Sequence, residues 1–126
     1  MARVLVVDDT ESSLDLVGHL LRARGHEPLF ARSGNEAVER AVADGPDLIL
    51  MDLQMPGMNG YEALEAIKQH PESDACPIVA LTAFGVVGER EKALAAGFDA
   101  FFSKPIAVET FVDQLEAFLT DDPTGV

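Results

Sequence analysis

The sequence is short of cysteine, of positive charge and of long apolar runs. Cys76 stands alone, which excludes an internal disulfide and any cysteine-rich metal site. Nine basic residues face 22 acidic ones, for a net charge of −13. Binding to nucleic acid needs clustered Lys and Arg against the phosphates, so this balance argues against nucleic acid as a direct partner. It argues equally against an anionic membrane surface. No apolar run is longer than a few residues, so no transmembrane span is expected. His19, His26 and His70 are scattered without zinc-ligand spacing and read as surface or helix-end residues. Met1-Ala2-Arg3 leads straight into Val4-Leu5-Val6-Val7, and Asp8 and Asp9 end that run at once. A signal peptide needs a longer apolar stretch. The expectation is a cytoplasmic protein of a reducing compartment.

What remains is enough to fold. The chain has 126 residues, of which 48% are apolar. A single domain of this size buries about two-thirds of its unfolded surface. Short apolar runs alternate with helical patterns along its whole length. Val4–Val7 is continuous rather than alternating, as in a strand buried on both faces. Further strands are expected at Pro28–Ala31, Asp47–Met51, Ile78–Leu81 and Ala100–Phe102. Helices are expected at Glu11–Arg24, Gly34–Ala43, Tyr61–His70 and Glu89–Ala96. In the second of these, Ala37, Val38, Ala41 and Val42 should share a face. The last helix has the clearest amphipathic spacing, with Val108, Phe111, Val112, Leu115, Phe118 and Leu119 on one stripe. Strict strand–helix alternation implies an α/β fold, a parallel five-stranded sheet with helices on both faces.

In such sheets, ligands bind outside the carboxyl ends of the strands. Asp8 and Asp9 follow the first strand, Asp52 the third, Thr82 the fourth, and Lys104-Pro105 the fifth. Taken singly, each has an ordinary reading. An Asp after a strand is commonly a helix cap or a turn residue, and a Lys before Pro is commonly solvated. Convergence at the ends of four strands fits a site better than four unrelated turns. Three neighbouring carboxylates repel one another, and a cation relieves that repulsion. All-oxygen ligands suit a hard divalent ion, Mg²⁺ in particular. Lys104 and Thr82 offer a point charge and a hydroxyl donor to phosphoryl oxygens. An Asp can itself accept a phosphoryl group as an acyl phosphate.

These residues, read as Val6-Val7-Asp8-Asp9, Leu50-Met51-Asp52-Leu53-Gln54-Met55-Pro56-Gly57-Met58-Asn59-Gly60, Leu81-Thr82-Ala83 and Ser103-Lys104-Pro105, resemble the receiver domain of two-component response regulators. The resemblance runs from Arg3 to Leu119. It is similar in type to stand-alone cell-cycle regulators and to the receivers of hybrid histidine kinases. It implies a flavodoxin-like (βα)5 three-layer sandwich with strand order 2-1-3-4-5. Residue by residue, it implies Asp52 as phosphoacceptor for a sensor histidine kinase or histidine phosphotransferase. Asp9 is implied as the direct Mg²⁺ ligand, with Asp8 acting largely through water and the Gln54 backbone carbonyl as a third protein ligand. Mn²⁺ is implied as a substitute ion. Thr82, with Ala83 beside it, and Lys104 are implied as phosphoryl contacts, and the Lys104–Pro105 bond as cis. Gln54 and Phe84 stand where the family tunes access of hydrolytic water, though both also read as plain loop residues.

Phosphorylation in the family draws in the hydroxyl at the Thr82 position. An aromatic side chain then turns inward and remodels the face of the fourth helix, fifth strand and fifth helix, where a downstream protein docks. Phe101 stands at that aromatic position, and reads equally well as a core aromatic. As Phe it has no hydroxyl to report the switch. The implied organisation is a receiver over residues 1–120, a short tail over 121–126 and no output domain. Seven residues follow Leu119. On this reading the chain is a phosphoacceptor switch, not an enzyme acting on other substrates. Three alternatives stand beside it: a phosphorelay intermediate, a phosphorylation-independent interaction module, and a small aspartyl-phosphate phosphohydrolase. The last has the wrong acid spacing and no cap domain.

Overall fold

A computed structural model describes residues 2–53, 60–70, 76–82, 88–103, 107 and 110–119, with backbone only for 118 and 119. Strands β1 (Arg3–Val7), β2 (Glu27–Ala31), β3 (Leu48–Asp52), β4 (Ile78–Thr82) and β5 (Ala100–Ser103) alternate with helices α1 (Glu11–Ala23), α2 (Gly34–Asp44), α3 (Gly60–Lys68), α4 (Glu89–Ala96) and α5 (Phe111–Leu119). The strands form one parallel sheet in the order β2-β1-β3-β4-β5. The expected fold and strand order are both found.

Alternate residues of each strand feed opposite faces, as the two-residue period requires. Leu5, Val7, Ile49, Met51, Ile78 and Ala80 pack beneath α2, α3 and α4, with Ala37, Ala63, Leu64, Ile67 and Ala93. Val4, Val6, Leu48, Leu50, Val79 and Leu81 pack beneath α1 and α5, with Leu14, Val17, Leu21, Phe111, Val112 and Leu115. Burying each large aliphatic side chain contributes about 1.5–3 kcal/mol, so the central strands anchor the domain. All five residues of β3 and of β4 are buried.

Several boundaries differ from expectation. The third strand begins one residue later, because the Asp47 carboxylate accepts the backbone N–H of Arg3 at 2.9 Å. It also ends one residue later, on Asp52, and the fourth ends on Thr82. Both site residues are therefore inside the ladder rather than after it. Val42 is 37% exposed and leaves the expected apolar face. It stands about 100° around α2 from the buried Ala41, at the edge of the stripe. The third helix, expected from Tyr61, begins one residue earlier, on Gly60. Val108 and the loop positions Gly57 and Asn59 lie outside the described residues.

His26 is held more firmly than its sequence position suggests. The sequence reads it as a surface or helix-end residue, and it does stand two positions past Arg24, the C-cap of α1, yet its side chain is only 9% exposed. Its Nδ1 accepts the Ala2 backbone N–H at 3.0 Å, and its Nε2 lies 2.7 Å from the Glu116 carboxylate. Arg24 adds contacts at 2.7 Å to both Asp113 and Glu116. The corner before β2 is thereby tied to α5.

Candidate phosphoryl and metal site

The sheet register builds the site. Val7 pairs with Met51 across β1 and β3, so Asp8 and Asp52 come level at the carboxyl edge. Asp52 pairs with Leu81, which puts Thr82 one step further along the neighbouring strand. The Leu53 N–H donates to the Leu81 carbonyl at 2.9 Å, holding the chain against β4 as it leaves Asp52.

Asp8, Asp9 and Asp52 each bring a carboxylate oxygen within 4.8 Å of the other two. Asp8 and Asp52 are buried, and Asp9 is exposed at the rim. The ordinary turn reading holds for Asp8, whose Oδ1 accepts the Thr10 N–H at 2.9 Å. It does not hold as a cap for Asp9, since the N-cap of α1 is Thr10. Burying carboxylates side by side is unfavourable unless positive charge joins them. The donor set fits a hard divalent cation: three oxygen ligands from two strand ends, one of them open to solvent. Its oxygens would hold the ion without any nitrogen or sulfur ligand.

Thr82 forms the other wall. It is buried, and its Oγ1 has no hydrogen-bond partner among the described residues. Such an orphan inside a folded chain calls for a missing acceptor. A phosphoryl oxygen on Asp52 is one candidate.

The floor is set by Gly60. A Cβ there would lie 2.9 Å from the Asp52 carbonyl oxygen and 2.9 Å from the Leu53 Cα. Only glycine lets α3 start so close to the site. Phe101 is half-buried and packs against the core cluster beneath α2, α3 and α4. Both of its expected readings share that geometry. Gln54, Ala83, Phe84, Lys104 and Pro105 lie outside the described residues. Of the expected site residues, the structure brings together Asp8, Asp9, Asp52 and Thr82.

Two residues near the site were not foreseen. The Tyr61 hydroxyl donates to the Glu89 carboxylate across α3 and α4. Burial first, and then that hydrogen bond and the Glu89 charge, raise the Tyr61 phenol above its ordinary value. No sequence spacing links residues 28 positions apart. The one available signal was a lone tyrosine directly after Gly60.

A family model described as response regulator receiver domain matches residues 4–116. The chain is 38% identical over 118 residues to the polar-differentiation response regulator DivK of Brucella ovis, covering 94% of this chain and 96% of that one. Among solved structures it is similar to the Vibrio cholerae chemotaxis protein CheY4, with a TM-score of 0.86 and 32% identity, over 94% and 98% of the two chains. It is also similar to the receiver domain of the sensor histidine kinase PA1611 from Pseudomonas aeruginosa PAO1. That match has a TM-score of 0.86 and 30% identity, over 94% and 97% of the chains. The PA1611 structure has a magnesium ion coordinated in its active-site cleft.

Proposed function

The chain belongs to the response regulator receiver domain family, and on that premise we propose that it accepts a phosphoryl group on Asp52 and signals by protein contact. The observation that carries the reading is the convergence of Asp8, Asp9 and Asp52 within 4.8 Å, beside the orphaned Thr82 hydroxyl. The donor is a phosphohistidine on a sensor kinase or phosphotransferase. An Asp52 carboxylate oxygen attacks phosphorus in line. The new P–O bond forms as the P–N bond breaks, and the leaving nitrogen keeps the electron pair. Asp8 and Asp9, with Asp52 and the Gln54 carbonyl, would hold Mg²⁺, and Mn²⁺ would fit the same oxygens. When bound, the cation neutralises charge on the phosphoryl oxygens. Thr82 donates a hydrogen bond to one of those oxygens, and Lys104 places a positive charge on another, with Ala83 and the cis Lys104–Pro105 bond shaping the loops around them.

Residues 1–120 act as the receiver and 121–126 as a short tail, in the cytoplasm. Among the described residues no helix is long and apolar enough to cross a membrane. A downstream protein docks on the face of α4, β5 and α5, where Leu94 is exposed and Phe101 is half-buried. Gln54 and Phe84 set the lifetime of the phosphate by controlling water access.

The test is direct. Incubated with Mg²⁺ and a small phosphodonor, the protein gains one base-labile phosphoryl group by intact mass. Asp52→Asn gains none. Equal uptake by that variant overturns the assignment. The likeness to a sensor-kinase receiver favours a second reading, in which the chain is a relay intermediate. A histidine phosphotransferase would then sharply shorten the phosphate lifetime, whereas for a terminal effector it would leave it unchanged.

A further inference from the structure

Helix α4 is weakly held at its start and firmly held at its end. Ala93 is its one buried residue, against three or four in each of α1, α2 and α3. It begins after Gly88, at φ 79°, which has no side chain to cap the first turn. At its other end the Phe98 N–H bonds to the Ala93 carbonyl at 3.1 Å, and Phe98 is buried in the core. An eight-residue helix with one buried anchor has little stability of its own.

What reaches the first turn is Tyr61. Its hydroxyl donates to Glu89, the first residue of α4. Its ring lies under the Lys92 ammonium, 4.8 Å from the ring centre. The ring also meets Phe98 edge-on at 5.8 Å. On the other side Tyr61 directly follows Gly60, where even a Cβ would lie 2.9 Å from the Asp52 carbonyl oxygen and from the Leu53 Cα. Residues 60 and 61 thus sit close to the end of β3 on one side and touch the loose end of α4 on the other.

We propose that Tyr61 is a positioning residue that ties the Asp52 end of β3 to the first turn of α4, through its hydroxyl bond to Glu89. Loss of that bond frees the turn to swing about the end anchored by Phe98. The link to signalling rests on the reading of Asp52 as phosphoacceptor, while the tether itself does not.

Amide hydrogen exchange over residues 92–96 tests the tether without phosphorylation. Tyr61→Phe keeps the ring on Phe98 and under Lys92, and removes only the hydroxyl. It should speed exchange there about tenfold, as expected for losing a hydrogen bond to a charged acceptor. Exchange in α1 and α5 should not change. Glu89→Ala should give the same effect, and the double variant should exceed neither single one. Unchanged protection in Tyr61→Phe, or additive effects in the double variant, overturns the proposal. The coupling is read by repeating the exchange with Mg²⁺ and a small phosphodonor, with uptake followed by intact mass. Phosphorylation should shift α4 exchange in the wild type and shift it less than half as far in Tyr61→Phe. Equal shifts overturn the coupling. Absence of uptake in the wild type instead overturns the phosphoacceptor reading, and leaves the tether to the first experiment.

Discussion

Thr82→Val should raise stability in one state of the protein and lower it in the other. The substitution exchanges a hydroxyl for a methyl and keeps the β-branching that suits β4. Thr82 is 1% exposed, and its hydroxyl has no partner among the described residues. A buried polar group left unpaired costs about 1–3 kcal/mol. Removing it should stabilise the unphosphorylated protein by about 1 kcal/mol, the low end of that range, because a hydroxyl can rotate to relieve part of the cost. For a chain of this length that corresponds to a Tm rise of roughly 3–6 °C. In the phosphorylated protein the sign reverses. A hydroxyl donating to a charged phosphoryl oxygen is worth about 1.5–3 kcal/mol, and Val cannot supply it. Urea denaturation with Mg²⁺, with and without the phosphodonor, reads both arms, with the phosphorylated fraction taken from intact mass. A variant less stable than wild type without donor would show that the hydroxyl is already paired. An equal gain on phosphorylation in both proteins would show that Thr82 does not meet the phosphoryl group.

Two further substitutions test the walls of the domain. Gly60→Ala puts a Cβ 2.9 Å from both the Asp52 carbonyl oxygen and the Leu53 Cα. Backbone atoms yield little, so the loss should be about 1–3 kcal/mol in urea denaturation, with slower phosphoryl uptake at Asp52. Stability within ~0.5 kcal/mol of wild type, a typical surface-mutation effect, would sink this account of the close approach. At Cys76, burial, reinforced by Asp47 and Asp99, raises the thiol from 9.0 to about 11. The folded chain thus keeps a proton that the unfolded chain gives up. The resulting stability is complete below pH 9 and is lost as pH rises through 11. Wild type should lose more stability than Cys76→Ala across that window, and parallel losses would refute the shift.

Most of the architecture was legible because a parallel sheet writes itself into sequence as continuous apolar runs. Val4–Val7 and Ile78–Leu81 carry no alternation, since helices cover both faces, and both fall inside observed strands. The acids were legible for a related reason. A parallel sheet brings every strand's carboxyl end to one edge, so polar residues at the ends of separate runs become neighbours. What was not legible depends on register and on partners distant in the chain. That Asp52 and Thr82 are the last rungs of their ladders, not loop residues, follows from pairing with Leu81 and Ser103. The partner of His26 was hidden because nothing local announces Glu116, 90 positions away.

The same distinction explains why the Tyr61–Glu89 contact lay out of view. The acids could be read because each is adjacent to its own strand, and the fold does the assembling. The Tyr61–Glu89 bond joins two helix starts whose closeness depends on how α3 and α4 settle on one sheet face. Gly60 makes that arrangement answerable to the site, because it allows α3 to begin against the Asp52 carbonyl. A larger residue there would lift the start of α3, and Tyr61 with it, away from Glu89. The requirement for glycine at position 60 and the reach of Tyr61 to α4 are therefore one constraint. Gly60→Ala should loosen α4 as well as destabilise the fold, with faster amide exchange over residues 92–96 than in a variant of equal stability altered in α1.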